Sequence, residues 1–269
     1  MATRKHKNHK TRSCEFCAFL WLILLVPVLG AERTKLKPDF NIFTIAQDVE
    51  LGQRLSKDIE AQAKILRSPS ANSYVDTLGQ RLAGKAPGHE QFRFQFKIID
   101  DASINASGLP GGIVYVNRGT IEAAANEAQL AGVIAHEIAH VVLRHGTHQI
   151  SHVYALQTPV SNMGAVGSKS IAEVLSKIGG GFAANSIVLR NPQEAEGQAD
   201  VLGTQILYDA GHDPKAAAEF FEKIETSRSP GDHPNPAKRI ANVMKEVERL
   251  GPVSPKAVID SPEFQAIRR

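Results

Sequence analysis

Cysteine is almost missing from this chain. Of 269 residues only Cys14 and Cys17 are cysteines, so everything beyond residue 17 folds without a disulfide. A disulfide-stapled scaffold is thereby excluded, and the chain must rely on a core and on any metal it holds. Cys14-Glu-Phe-Cys17 has C-x-x-C spacing, but nothing around it suggests a folded redox or zinc context. Long apolar runs are also missing. The longest, Ala18–Ala31, is too short for a comfortable membrane span. No internal repeats are visible, and no cysteine sits just after the apolar run where a lipoprotein would carry one.

Net charge is the third thing in short supply. The formal charge is +3, but Arg4, Lys5, Lys7, Lys10 and Arg12 face only Glu15 in the first 31 residues. Residues 32–269 then hold 26 basic and 27 acidic groups, a formal −1. The basic balance belongs to the leading segment, and no nucleic-acid partner is indicated. A basic start, a short apolar run and small residues near its end describe a secretory signal peptide over 1–31, cleaved after Gly30 or Ala31, with an uncleaved anchor as the alternative. The expected location is the bacterial periplasm or cell envelope. Behind it, 32–43 reads as a linker, 44–250 as one domain and 251–269 as a tail.

Residues 136–140 read His-Glu-Ile-Ala-His, inside an apolar run from Leu130 to Leu143. Four residues of α-helix turn the side chain by about 400°, so His136 and His140 leave one face only about 40° apart. Their rise of roughly 6 Å lets two imidazoles converge on one tetrahedral ion. Glu137 is rotated by about 100°, beside the metal, where it can act as general base toward a water. This is the H-E-x-x-H arrangement of metalloproteases. A helix apolar nearly all round is a buried one, and three buried polar side chains would be costly unless something binds them.

A catalytic zinc usually takes a third protein ligand. The H-E-x-x-H-x-x-G-x-x-H pattern is not met, because Leu143 stands at its glycine and Gly146 at its last histidine. His145 is one residue short and, on a continuing helix, points about 140° from His140. It reads as a helix-end histidine favoured by the negative end of the dipole. The other source is Glu194-Ala-Glu196-Gly-Gln-Ala-Asp200, in which spacing does not choose between Glu194 and Glu196.

The pairing of His136-Glu137-Ile138-Ala139-His140 with a downstream Glu-x-x-Ala-Asp resembles the zinc metallopeptidases of family 48, which include the HtpX, BepA and Oma types. In that pattern the ligand is the glutamate four residues before the aspartate. The resemblance therefore implies zinc on His136, His140 and Glu196, with Asp200 fixing the tautomer of a ligand histidine. Val49–Leu55 and Tyr74–Leu82 look like the family's opening helices, and Asn105–Gly119 is similar to its strand-and-turn segment. Asp232-His233-Pro234 with Arg239 resembles a late His-Pro motif followed by an arginine. The resemblance covers roughly residues 44–250. Ser107-Gly108 departs from it, since relatives tend to carry an aromatic and a small residue there, which leaves the nearby cleft wall open.

His233 would either steady the oxyanion of the tetrahedral intermediate or fill the fourth zinc position and hold the enzyme latent. Arg239 would pin the same loop or the substrate backbone. The family architecture implied is a zincin-like α+β domain, mainly helical, with a small sheet beside the metal helix. Helices are expected over 44–67, 72–83, 120–126, 130–144, 193–210, 214–227 and 235–250, and strands over 92–98 and 113–117. If the strand Ile113-Val114-Tyr115-Val116-Asn117 is an edge, a substrate can add to it as another strand. Gly146–Val188, between the two ligand helices, is a candidate lid that could also touch a membrane surface; a loosely packed helical hairpin is the plain alternative. His89 and His212 lie in Gly-rich turns and read as incidental. No 34-residue helical repeats follow the peptidase segment, unlike BepA-type relatives.

The function expected is hydrolysis of peptide bonds in proteins, with quality control of misfolded or misassembled envelope proteins implied by the resemblance. A peptidase fold used as a latent or non-proteolytic chaperone is the rival. The substrates are proteins or peptides; the oligomeric state is not legible.

Overall fold

In a computed structural model of the chain, the described residues are 32–156, 171–177, 192–227 and 236–268. Candidate signal 1–31 and His233 lie outside them, as does most of Gly146–Val188. Ten α-helices and three strands are found among the described residues.

Helix α1 (Ile45–Gln62) starts at a capping box, Thr44 with Gln47. It stops five residues before the expected end, because Ala63 turns extended and Ile65 pairs with Ile99 at the sheet edge. Leu66 donates to the Ile98 carbonyl at 2.8 Å. Backbone bonding to the sheet thus outweighs the helical continuation. Ser68 caps α2 (Pro69–Ala83), whose proline occupies the first turn where no donor is lost.

The sheet has three strands in the order β1-β3-β2. Strand β1 (Gln95–Ile99) runs parallel to β3 (Ile113–Asn117), and β2 (Ala106–Leu109) pairs antiparallel to β3 across the Pro110-Gly111-Gly112 turn. The strand expected to offer an edge is therefore the central one. All five of its residues are buried. Val114 and Val116 belong to the core that holds the metal helix, whereas Ile113 and Tyr115 face a second cluster. Apolar cover on both faces explains why this strand shows no polar side.

Short helix α3 (Arg118–Ala123) leads into α4 (Glu127–Val142), capped by Asn126 and buried at all sixteen positions. Helix α4 packs against α2, β2 and two later helices, α7 (Gln193–Asp209) and α8 (Lys215–Ser227). Gly203 lets α7 come close: a Cβ there would lie 3.1 Å from the His136 nitrogen. Helices α5 (His145–Leu156) and α6 (Ile171–Lys177) contribute Ile150, Tyr154, Ile171 and Val174 to the second cluster, with Leu51 and Leu55 of α1.

Helix α9 (Pro236–Leu250) packs on α7 and α8. The expected tail instead folds back. Val258 donates to the Gly211 carbonyl at 2.8 Å and Ala128 to the Ile259 carbonyl at 2.9 Å. Helix α10 (Pro262–Arg268) then buries Phe264 against Tyr74 of α2, with ring centroids 6.3 Å apart. Residues 32–43 carry no regular element but are not loose. Thr34 bonds Glu246 of α9 through both N–H and hydroxyl, and Phe43 is in the core.

Candidate metal centre and active site

The helical period of α4 places His136 and His140 one turn apart, and α7 brings Glu196 against them. Their donors form a triangle: Nε2 to Nε2 is 3.0 Å, His136 Nε2 to Glu196 Oε2 is 3.4 Å, and His140 Nε2 to Glu196 Oε1 is 3.3 Å. Three donors at tetrahedral angles on an ion about 2.0–2.1 Å away would stand roughly 3.3 Å apart. Two imidazoles and a carboxylate, all buried, fit zinc in both geometry and donor chemistry. Among the described residues this is the one cluster of three such groups. Glu194, which spacing left as an alternative, is exposed in the first turn of α7.

Glu137 projects beside the triangle, and its Oε2 accepts the Gly108 N–H of β2 at 2.8 Å. Gly108 was not foreseen in this role. A Cβ at residue 108 would come within 2.7 Å of the Glu137 carbonyl, so helix and strand approach this closely only over a glycine. The departure from the family pattern at Ser107-Gly108 was the signal that could have marked the position.

Asp200, one turn after Glu196, lies 3.2 Å from His136 Nδ1 and accepts from Arg239 Nε and Nη2 at 3.0 and 2.8 Å. Arg239 is itself buried. Its guanidinium stacks on Phe221 at 3.7 Å and lies 3.8 Å from Glu196. The expectation that it grips substrate is corrected, because its donors are turned inward onto Asp200 and the His136 ring; the loop it was also expected to pin lies outside the described residues. Ile113, Val114 and Tyr115 are corrected as well. They form a fully buried central strand, and the Tyr115 hydroxyl bonds Ser56 and Glu60, so none of the three offers a substrate edge.

His145 is the largest departure from expectation. Helix α4 ends at Val142, and Arg144 adopts a left-handed φ of 59°, which starts α5 on a new axis. His145 is thereby swung back to His140, with the two Nδ1 atoms 2.7 Å apart, and its Nε2 reaches Gln198 Oε1 at 3.0 Å. His212 is also no incidental turn residue, since it is buried 3.0 Å from Glu127.

Electrostatics separate the two ligand histidines. Burial pushes His140 down to about 3, against the pull of Glu196. Burial and the Arg239 cation also press on His136, but hydrogen bonds to the Asp200 and Glu196 carboxylates outweigh them and raise it to about 9. Burial alone would raise Asp200; Arg239 and His136 reverse this and hold its carboxyl below the usual value.

Residues 69–247 match the model of Peptidase family M48. The chain belongs to that family. Relatives include the beta-barrel assembly-enhancing protease of Escherichia coli (strain K12), 29% identical over 227 residues, covering 79% of this chain and 46% of the relative. A putative beta-barrel assembly-enhancing protease of Vibrio cholerae is 30% identical with the same coverage. Mitochondrial metalloendopeptidase OMA1 of Schizosaccharomyces pombe is 26% identical, covering 81% of this chain and 64% of the relative. The M48 chain thus spans about half the length of the first two. The donor triangle lies within the stretch that matches the family.

Proposed function

We propose that this M48 chain is a zinc-dependent endopeptidase that hydrolyses peptide bonds in unfolded or misassembled proteins. The observation that carries the reading is the buried triangle of His136, His140 and Glu196 with Glu137 held at its side. When bound there, zinc supplies Lewis-acid polarisation and acidifies water. Glu137 takes a proton from the attacking water and returns it to the departing amine. The Gly108 N–H keeps that carboxylate at the metal helix, while Asp200 and Arg239 hold His136 in place. His233 retains its two proposed roles, oxyanion donor or latent fourth ligand.

The edge strand nearest Glu137 is β2, so an extended substrate would pair there rather than on β3. Backbone pairing tolerates many sequences and favours unfolded chains. Location in the periplasm or envelope rests on the basic start and short apolar run of residues 1–31. Quality control there draws support from the bacterial relatives, which are beta-barrel assembly-enhancing proteases.

The test is zinc content and casein cleavage of the full chain beside Glu137→Gln. Zinc near one per chain in both proteins is expected, with cleavage lower in the variant by on the order of 10²–10⁴-fold. Zinc without cleavage in either protein refutes a constitutive peptidase and favours the latent form. No zinc in either refutes the ligand assignment.

A further inference from the structure

The two zinc-ligand candidates on α4 are held from behind by different chemistry. His136 turns its Nδ1 to the Asp200 carboxylate, an ordinary acceptor for a ligand histidine. His140 turns its Nδ1 to another imidazole, the Nδ1 of His145 2.7 Å away. His145 is 2% exposed, and its other nitrogen meets Gln198, two residues beyond Glu196 on α7. Histidine-to-histidine contact is chemically demanding, because one of the two facing nitrogens must carry a hydrogen and the other a lone pair.

We infer that His145 is a positioning residue for zinc, accepting the Nδ1–H of His140 and passing the constraint through its own Nε2–H to Gln198. The protons are assigned by elimination. His140 Nε2 points into the donor triangle, so it must present a lone pair, and its single hydrogen sits on Nδ1. His145 Nδ1 must then be the acceptor, which leaves its hydrogen on Nε2, facing Gln198 Oε1. The opposite arrangement would put a hydrogen on His140 Nε2, inside the site. Arg144 makes the arrangement possible: its left-handed turn aims His145 backward, and its bonds to Asp48 and the Phe43 carbonyl fix that turn. The chain His140–His145–Gln198 also ties α4 and α5 to the helix that supplies the third ligand, so one contact aligns all three donors.

This inference rests on His136, His140 and Glu196 being the ligands. Zinc affinity of the full chain, measured by competition with a chelating dye, tests it in wild type, His145→Leu, His145→Asn and Gln198→Leu, with Glu196→Gln as the ligand control. His145→Leu is expected to weaken zinc binding by about 10- to 100-fold. His145→Asn should restore most of the loss, because an amide oxygen can occupy the place of Nδ1, and Gln198→Leu should fall between. In the zinc-loaded wild type, long-range nitrogen–proton correlation should show His140 protonated at Nδ1 and His145 at Nε2. Wild-type zinc affinity in folded His145→Leu, an Asn variant as weak as Leu, or a protonated Nδ1 on His145 each overturns the inference. If His145→Leu does not fold, the Asn variant and the imidazole spectrum still decide. Failure of the wild type to bind zinc, or undiminished binding in Glu196→Gln, would instead bring down the ligand reading beneath it.

Discussion

Gly108 shows how narrowly the general base is set. Its N–H lies 2.8 Å from Glu137 Oε2, and a methyl added at its Cα would stand 2.7 Å from the Glu137 carbonyl and 3.2 Å from Val141. Backbone cannot yield as a side-chain tip does, so Gly108→Ala must separate β2 from α4. A displacement approaching 1 Å at a reacting group costs roughly 10²-fold in rate. We therefore expect Gly108→Ala to keep its zinc and its KM on casein-derived peptides while kcat falls by about that factor; an unchanged kcat would remove Gly108 from the machinery. His136, Glu137 and His140 were legible because helix periodicity fixes their directions without any tertiary information. Glu196 needed the family pattern, since helical spacing treats it and Glu194 alike. His145 was misread for a local reason. A single residue, Arg144, leaves the helical region, and every direction extrapolated past it is then wrong.

Helices were read well because their signals are local: Thr44, Ser68 and Asn126 cap as their side chains allow. The sheet was less legible. Which strand is central depends on partners far away in sequence, and β3 differs from an edge strand only in being covered on both sides. One element-scale contact, the pair of Asp48 on α1 and Arg144 between α4 and α5, bears directly on the site. Burial pushes the Asp48 carboxyl up despite the Arg144 hydrogen bonds, so the pair contributes more through satisfied donors than through charge attraction. Removing one member of a buried pair costs about 3–5 kcal/mol, chiefly from the group left behind. Asp48→Leu should lower unfolding stability in urea by an amount near the bottom of that range, since Arg144 keeps some water and the Phe43 carbonyl. Asp48→Asn, which retains an acceptor, should cost less than Leu. Equal losses for both would mean that the charge itself dominates.

At the scale of the whole molecule, the segment beyond α9 is tied to the start of the metal helix, around the Glu127 carboxylate. Glu127, at the start of α4, contacts His212 at 3.0 Å, Arg81 at 2.6 Å and Tyr74 at 2.9 Å, while its own N–H donates to Asp260 at 3.1 Å. Four parts of the chain meet there, and composition gives no hint of it, because each residue alone looks like an ordinary turn or helix polar group. The hydrogen bond from His212, then those from Ser261, Tyr74 and Arg81, hold the Glu127 carboxyl far below the usual carboxylate range against the effect of burial. An unfolded glutamate titrates near about 4.3. Because the folded value is the lower one, the unfolded chain binds the proton more readily in acid. The stabilisation is therefore complete above about pH 5 and is lost progressively as pH falls through about 4 and below. Melting temperature should stay level on this account from pH 7 to 5 and then drop. Glu127→Gln should lower stability at pH 7 by on the order of 1–3 kcal/mol, the worth of hydrogen bonds to a charged group. It should also flatten the acid limb, so that the gap between variant and wild type narrows steadily as pH falls from 5 to 3. Parallel melting curves across that range would show that Glu127 does not carry the acid sensitivity, and that the C-terminal segment is held by Phe264 and its apolar contacts instead.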